Sequence, residues 1–254
     1  MIKTVLITGA TSGIGKAVAE LLAAAGNNLI ITGRREALLT GLAKRLEKSQ
    51  KIKVLPLCFD VRDKIEVDNK IGNLPAEWKK IDVLVNNAGL AVGLNPVNEG
   101  IHEDWERMID TNIKGLLYVT RIVSNYMIEN RSGQIINIGS IAGKSVYPNG
   151  NVYCATKFAV DALSKGMMMD LHKYNIKVSQ ICPGAVETEF SEVRFKGDKE
   201  RAAGVYKGYT PLVAEDIANV VLFVVNTPPH VNISDLVVMP VAQASPSIID
   251  RKDV

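Results

Sequence analysis

Tyr153 and Lys157 stand four residues apart in the run Val-Tyr-Cys-Ala-Thr-Lys. On a helix, that spacing puts both side chains on one face. An ammonium beside a phenol favours the phenolate, so the spacing predicts a tyrosine pKa drawn down from its ordinary ~10 toward neutrality. Such a phenol can exchange a proton with an alcohol or a carbonyl at physiological pH. Taken alone, the pair describes a solvated helix face equally well. Ser140 lies just past the apolar run Gln134–Gly139 and supplies a second contact. A substrate oxygen between the Ser140 hydroxyl and the Tyr153 phenol would be held by two hydrogen bonds. In oxidation Tyr153 would take the alcohol proton while a hydride leaves; reduction reverses both steps.

Such a pair needs a rigid frame. Strand patterns fall at Thr4–Thr8, Asn28–Thr32, Lys53–Cys58, Val83–Asn86, Gln134–Gly139, Lys177–Ile181 and Leu236–Met239. Several are apolar at consecutive positions, as in parallel strands covered on both faces. Helical patterns lie between them at Ile14–Ala25, Ala37–Ser49, Lys64–Ile71, Trp105–Asn130, Tyr153–Tyr174 and Ala214–Val225. Alternation of strand and helix predicts an α/β fold: a single-domain, Rossmann-like, doubly wound parallel sheet over residues 1–254, with helices on both faces. The polar, charged stretch 190–210 follows a late strand and is read as a substrate lid, with an ordinary surface connection as the alternative.

The first strand runs into Thr8-Gly9-Ala10-Thr11-Ser12-Gly13-Ile14-Gly15. Gly9 allows a tight turn. Gly13 and Gly15 let backbone approach a pyrophosphate, which the start of the following helix would receive. A glycine-rich turn without a ligand is the bland alternative. The second strand ends in Thr32-Gly33-Arg34-Arg35. A carboxylate at this place would bind a ribose 2′-hydroxyl, whereas two guanidinium groups suit a 2′-phosphate. NADP(H) is therefore expected over NAD(H), unless Arg34 and Arg35 are only the solvated start of a helix.

Bulk properties exclude other classes. A net charge of +3 over 254 residues is too small to imply nucleic acid or an anionic membrane as partner. No apolar run approaches the ~20 residues of a membrane span, and the first residues lack a signal-peptide core. Three cysteines without close spacing and three scattered histidines predict neither disulfides nor a metal site. A cytoplasmic protein is expected. Cys154 is read as a packing thiol, Met167 to Met169 as core or interface, His172 as surface or interface and Trp105 as a packing anchor.

Thr8–Gly15, Asp60-Val61, Asn86-Asn87-Ala88-Gly89, Asn112, Ser140, Tyr153–Lys157 and Pro183-Gly184 with Thr188 occur in that order along nearly the whole chain. In this the sequence resembles the short-chain dehydrogenase/reductase family. The resemblance implies that Gly9, Thr11, Ser12, Gly13, Ile14 and Gly15 bind the cofactor, with Arg34 and Arg35 at its phosphate end. It implies that Asp60 and Val61 contact the adenine and that Asn87, Ala88 and Gly89 line the adenosine side. Pro183, Gly184, Val186 and Thr188 would cover the nicotinamide, with Tyr153 also touching the cofactor. Lys157 would hold the nicotinamide ribose, and Asn112 a water of a proton relay.

The runs Glu103–Glu106, Gly150–Tyr153, Val193–Asp198, His230–Ile233 and Met239–Val241 resemble more closely the NADP-dependent serine/3-hydroxy acid dehydrogenases. That likeness implies a homotetramer acting on serine, allo-threonine or 3-hydroxyisobutyrate-type acids. The same catalytic set would serve a 3-oxoacyl reductase or a sugar or polyol dehydrogenase. A silent NADP-binding sensor or scaffold would be expected to lose Ser140, Tyr153 or Lys157. An acidic substrate needs a cation, and Arg194, Lys196 and Lys144 lie in segments expected to border the pocket. Arg194 is the candidate carboxylate partner, with a solvated charge on the lid as the alternative.

Overall fold

The computed structural model describes residues 2–252. Its first strand, β1 (Thr4–Ile7), shows why the sheet forms. Val5 and Ile7 join the apolar layer on one face and Leu6 the layer on the other; all three are fully buried. A strand apolar on both faces must be covered on both. Helix α1 (Gly13–Ala24) covers the first face, and β2 (Asn28–Gly33) repeats the pattern with Leu29 and Ile31 opposite Ile30. The chain continues through α2 (Glu36–Gln50), β3 (Val54–Cys58), α3 (Lys64–Gly72) and β4 (Val83–Asn86). It then forms α4 (His102–Ile109), α5 (Leu116–Asn130), β5 (Gly133–Ile138), α6 (Asn151–Leu171) and β6 (Ile176–Pro183). Last come β7 (Val186–Glu187), α7 (Phe190–Arg194), α8 (Lys199–Gly204), β8 (Leu212–Val213), α9 (Ala214–Val225) and β9 (Asp235–Val238).

Seven strands make one sheet in the order β3-β2-β1-β4-β5-β6-β9, every neighbouring pair parallel. Helices α1, α2 and α9 pack on one face and α3, α5 and α6 on the other. From β1 the chain winds outward to β3, then returns to place β4 on the other side of β1. That reversal leaves a crevice at the carboxyl ends of β1 and β4, where open α/β sheets bind ligands. The seven expected strands are all present. Among the described residues no helix is long and apolar enough to cross a membrane.

Three features differ from expectation, the first being β7 and β8, which pair in parallel as a separate two-stranded sheet. The helix expected over Trp105–Asn130 begins earlier, at His102, and is broken by a π-helical turn at Asp110–Gly115. Packing explains it: a Cβ on Gly115 would lie 2.8 Å from the Val61 side chain, and Asn112 is turned inward and buried. Wide turns of this kind recur where a helix must aim a side chain at a site. The polar stretch 190–210 contains two short helices. Asp198 caps the second by accepting the Arg201 N–H at 3.0 Å.

Candidate active site

The glycine turn is shaped by contacts no other residue would tolerate. Gly9 and Gly13 have φ of 69° and 50°, in the left-handed region. A Cβ on Gly15 would lie 2.3 Å from both the Gly9 carbonyl oxygen and Asn87 Nδ2. Asn87 Nδ2 donates to the carbonyls of Thr8 (2.9 Å) and Gly9 (3.1 Å). Thr8 Oγ1 in turn accepts the N–H groups of Asn87 (3.0 Å) and Ala88 (2.9 Å). This clasp joins the ends of β1 and β4 at the crevice, so Asn87 shapes the site by holding the turn. Ser12 precedes α1, but its hydroxyl caps none of the N–H groups in the first turn, which remain donors suited to an anion.

Both arginines after β2 face carboxylates. Arg34 lies 3.6 Å from Asp60, which Arg62 also grips at 2.7 Å. Burial works against the Asp60 charge, but Arg62 and then Arg34 outweigh it and hold the carboxyl below its ordinary range. Arg35 lies across the glycine turn. Its Nε and Nη2 donate to Thr11 Oγ1 at 3.2 and 3.1 Å, and its Nη1 to Glu189 at 2.9 Å.

A cleft of about 340 Å³ runs from these arginines to Ser140, Tyr153 and Lys157. The structure brings the expected residues together there, except Gly15, Asn112 and Arg194. Gly15 lies under the turn. Arg194 lines an adjoining recess with Tyr147 and Trp105, which Tyr153 shares. An elongated cleft with left-handed glycines at its floor and guanidinium groups at one end fits a phosphorylated dinucleotide. Among the described residues no cluster of His, Cys, Asp or Glu could hold a metal ion.

The first turns of α6 carry Tyr153 and Lys157, both buried. A Cβ on Gly143 would lie 2.5 Å from the Lys157 carbonyl, so the short turn after Ser140 sits directly on α6. Ser140 Oγ accepts the Ala142 N–H at 3.1 Å, which fixes its rotamer and leaves its O–H free to donate. The expected lowering of the Tyr153 pKa is not what the structure gives. Burial pushes the phenol up; Arg194 and the neighbouring Ser140 hydroxyl oppose it without reversing it. Lys157 pays for its own burial instead: its pKa falls to about 8, while Nζ donates to the Ile138 carbonyl at 2.8 Å. The i,i+4 spacing put both residues at the cleft, but neither is a cause of the other's shift; desolvation leads in both.

Asn112 Oδ1 accepts the Leu90 N–H (2.9 Å), and its Nδ2 donates to the Leu90 carbonyl (2.8 Å) and Thr156 Oγ1 (3.0 Å). It thus ties the loop after β4 to α6. Both amide hydrogens are used, and Oδ1 lies close to Gly89, 3.3 Å from a Cβ built there.

Arg194, on α7, donates through Nη2 to the Tyr147 hydroxyl at 3.0 Å. Its guanidinium carbon lies 5.1 Å from the ring centres of Tyr153 and Phe190. Its Nε is buried and has no hydrogen-bond acceptor among the described residues. Lys144 and Lys196 do not share this place. Lys144 is taken up by Asp161 and Asp235, and Lys196 by Asp104 at 2.8 Å. Sequence reasoning missed Tyr147, Glu189 and Arg62. They belong to no motif and reach the site through contacts distant in sequence or through local turns.

The pattern of the family described as short chain dehydrogenase matches residues 3–199. The NADP-dependent 3-hydroxy acid dehydrogenase YdfG of Salmonella typhi is 48% identical over 241 residues, covering 94% of this chain and 96% of that protein. Sulfoacetaldehyde reductase 2 of Chromohalobacter salexigens is 45% identical over 249 residues, covering 97% and 98%. The closed form of a serine dehydrogenase complexed with NADP+ superposes with a TM-score of 0.91 at 44% identity, covering 98% of this chain and all of that one.

Proposed function

This chain belongs to the short-chain dehydrogenase family, and from that premise we propose that it interconverts a small 3-hydroxy acid and its 3-oxo counterpart with NADP(H). Serine, allo-threonine and 3-hydroxyisobutyrate are acids of the proposed kind. Bound NADP(H) supplies or accepts the hydride. Arg34 and Arg35 would hold its 2′-phosphate, and the glycine turn its pyrophosphate. Ser140 Oγ–H donates to the substrate oxygen. Tyr153 Oη gives that oxygen a proton in reduction and takes it back in oxidation. Lys157 Nζ holds the nicotinamide ribose and favours the phenolate while the proton is away. Asn112 keeps the loop after β4 in register with α6 and offers Oδ1 to a relay water. The stretch 190–210 acts as the substrate lid of a single domain, carrying Arg194 to the recess. The enzyme is proposed to be a cytoplasmic homotetramer, to which the exposed Phe158, Met169 and Val241 offer apolar surface.

One observation carries the substrate class: the Arg194 guanidinium beside Tyr153, with a buried Nε–H that lacks an acceptor. A buried donor of a cation is costly unless an anion meets it. A carboxylate separated from the reacting carbon by a single carbon would extend from Tyr153 toward Arg194, whose guanidinium carbon lies 5.1 Å from the Tyr153 ring centre. The sulfonate in the name of the C. salexigens relative offers the same kind of anion. A 3-oxoacyl thioester or a polyol carries no such charge, so Arg194 favours the acid over those alternatives.

Arg194→Ala is expected to raise KM for 3-hydroxy acids by roughly tenfold or more, the loss of a charge-assisted bond at a buried site. Turnover of an uncharged alcohol and the Kd for NADPH should change little. Steady-state kinetics with the acid and a neutral analogue check this, and an unchanged KM for the acid removes the assignment.

A further inference from the structure

Arg35 and Glu189 meet although 154 positions separate them. Each starts from a fixed point. Arg35 follows β2 and is steadied by two bonds to Thr11 Oγ1. Glu189 precedes α7, and its carbonyl accepts the Val193 N–H at 3.1 Å. Thr188 beside it packs on the glycine turn, where a Cβ on Gly13 would lie 3.3 Å from Thr188 Cβ. The 2.9 Å contact therefore bridges two anchored segments over the glycine turn, at the rim of the cleft. It engages the one guanidinium nitrogen of Arg35 that Thr11 does not.

We propose that Glu189 competes with the cofactor's 2′-phosphate for Arg35 and so sets how strongly the enzyme prefers NADP(H) to NAD(H). The proposal rests on the reading that Arg35 holds that phosphate. A dianionic phosphate and a carboxylate on one guanidinium repel each other. The phosphate carries more charge and makes the stronger bonds, so it takes Nη1 and the carboxylate gives way. A nucleotide without the 2′-phosphate has no such contest. Removing the Glu189 charge therefore helps one nucleotide class and not the other. Arg34 makes no equivalent contact with Glu189; its carboxylate neighbour is Asp60, which Arg62 also holds. Both Arg35 and Glu189 are half exposed, which limits the gain to that of a solvated ion pair, about two- to fivefold in affinity.

Isothermal titration of adenosine 2′,5′-bisphosphate and AMP tests this with the parent, Glu189→Gln, Arg35→Gln and the double variant at low salt. Glu189→Gln should bind the bisphosphate about two- to fivefold more tightly, leave AMP unchanged, and lose its advantage once Arg35 is glutamine. If Arg35→Gln weakens the bisphosphate but Glu189→Gln leaves it unchanged or weaker, the role of Glu189 is overturned and that of Arg35 stands. Equal tightening of AMP and bisphosphate also overturns competition, since it reports a general charge effect. If Arg35→Gln binds the bisphosphate as the parent does, the assignment of Arg35 fails and this proposal fails with it.

Discussion

Phenylalanine in place of Tyr153 is expected to lower turnover by on the order of 10²–10⁴-fold while NADPH binding persists. The substitution removes one oxygen and keeps the ring. That ring packs edge-on to Phe190, with centroids 5.8 Å apart, so α6 and α7 keep their contact. Nothing in the packing then explains a loss of activity, which leaves the phenol oxygen itself: the proton it exchanges and the hydrogen bond it offers the substrate. The direction of the phenol's pKa adds a second readout. Burial holds Tyr153 protonated, so in its proposed role it is an acid ready for reduction and a base only after losing a proton. Oxidation of the 3-hydroxy acid by the parent should therefore quicken as pH rises, and reduction should not need the higher pH. Initial rates in both directions, with fluorescence titration of NADPH, check both statements. A phenylalanine variant retaining more than about a tenth of parental turnover would refute the proton-transfer role.

The scaffold of this site was legible because it is written in local patterns. Strands such as Leu29–Ile31 are apolar at every position, which means burial on both faces, and burial on both faces means helices above and below. Gly9, Gly13 and Gly15 announced a turn that only glycine can make, and the turn lies where the strand ends. Ser140, Tyr153 and Lys157 were visible as types at spacings. The titration of Tyr153 and Lys157 was not, since the shift of a buried phenol or ammonium depends on how much water the whole fold removes. The π-helical turn at Asp110–Gly115 was hidden for the same reason. It answers to Val61 against Gly115 and to Leu90 against Asn112, neither of which is near in sequence. The partners of the cations were likewise out of reach. No spacing rule links Arg35 to Glu189 or Lys196 to Asp104, and Lys144 lay in a promising segment yet is bound to Asp161 and Asp235.

Methionine in place of Lys157 is expected to cost nearly all turnover yet leave the protein as stable as the parent, or more stable, at pH 7. The ammonium is buried and its pKa stands at about 8 rather than 10.5, with burial the leading cause. The folded protein thus holds this proton less tightly than the unfolded chain, and folding releases it between those two values. Stability therefore rises with pH across that window. Below about 8 the full penalty is present, on the order of 3 kcal/mol; above about 10.5 it has gone. Methionine fills similar volume and carries no charge, so it escapes the penalty at every pH. It also abandons the Ile138 carbonyl, which Lys157 meets at 2.8 Å, at a cost of about 1–3 kcal/mol. At pH 7 the two effects nearly balance or favour methionine; near pH 10.5 only the lost bond remains and the parent is the more stable. Melting curves without added nucleotide should therefore converge and cross as pH rises, each kcal/mol moving the midpoint by about 2–4 °C. A variant that melts lower than the parent by the same margin from pH 7 to 10.5 would contradict a buried, charge-penalised lysine. With that cost in the fold, the role proposed for the ammonium, beside Tyr153 and the nicotinamide ribose, should be read in kcat.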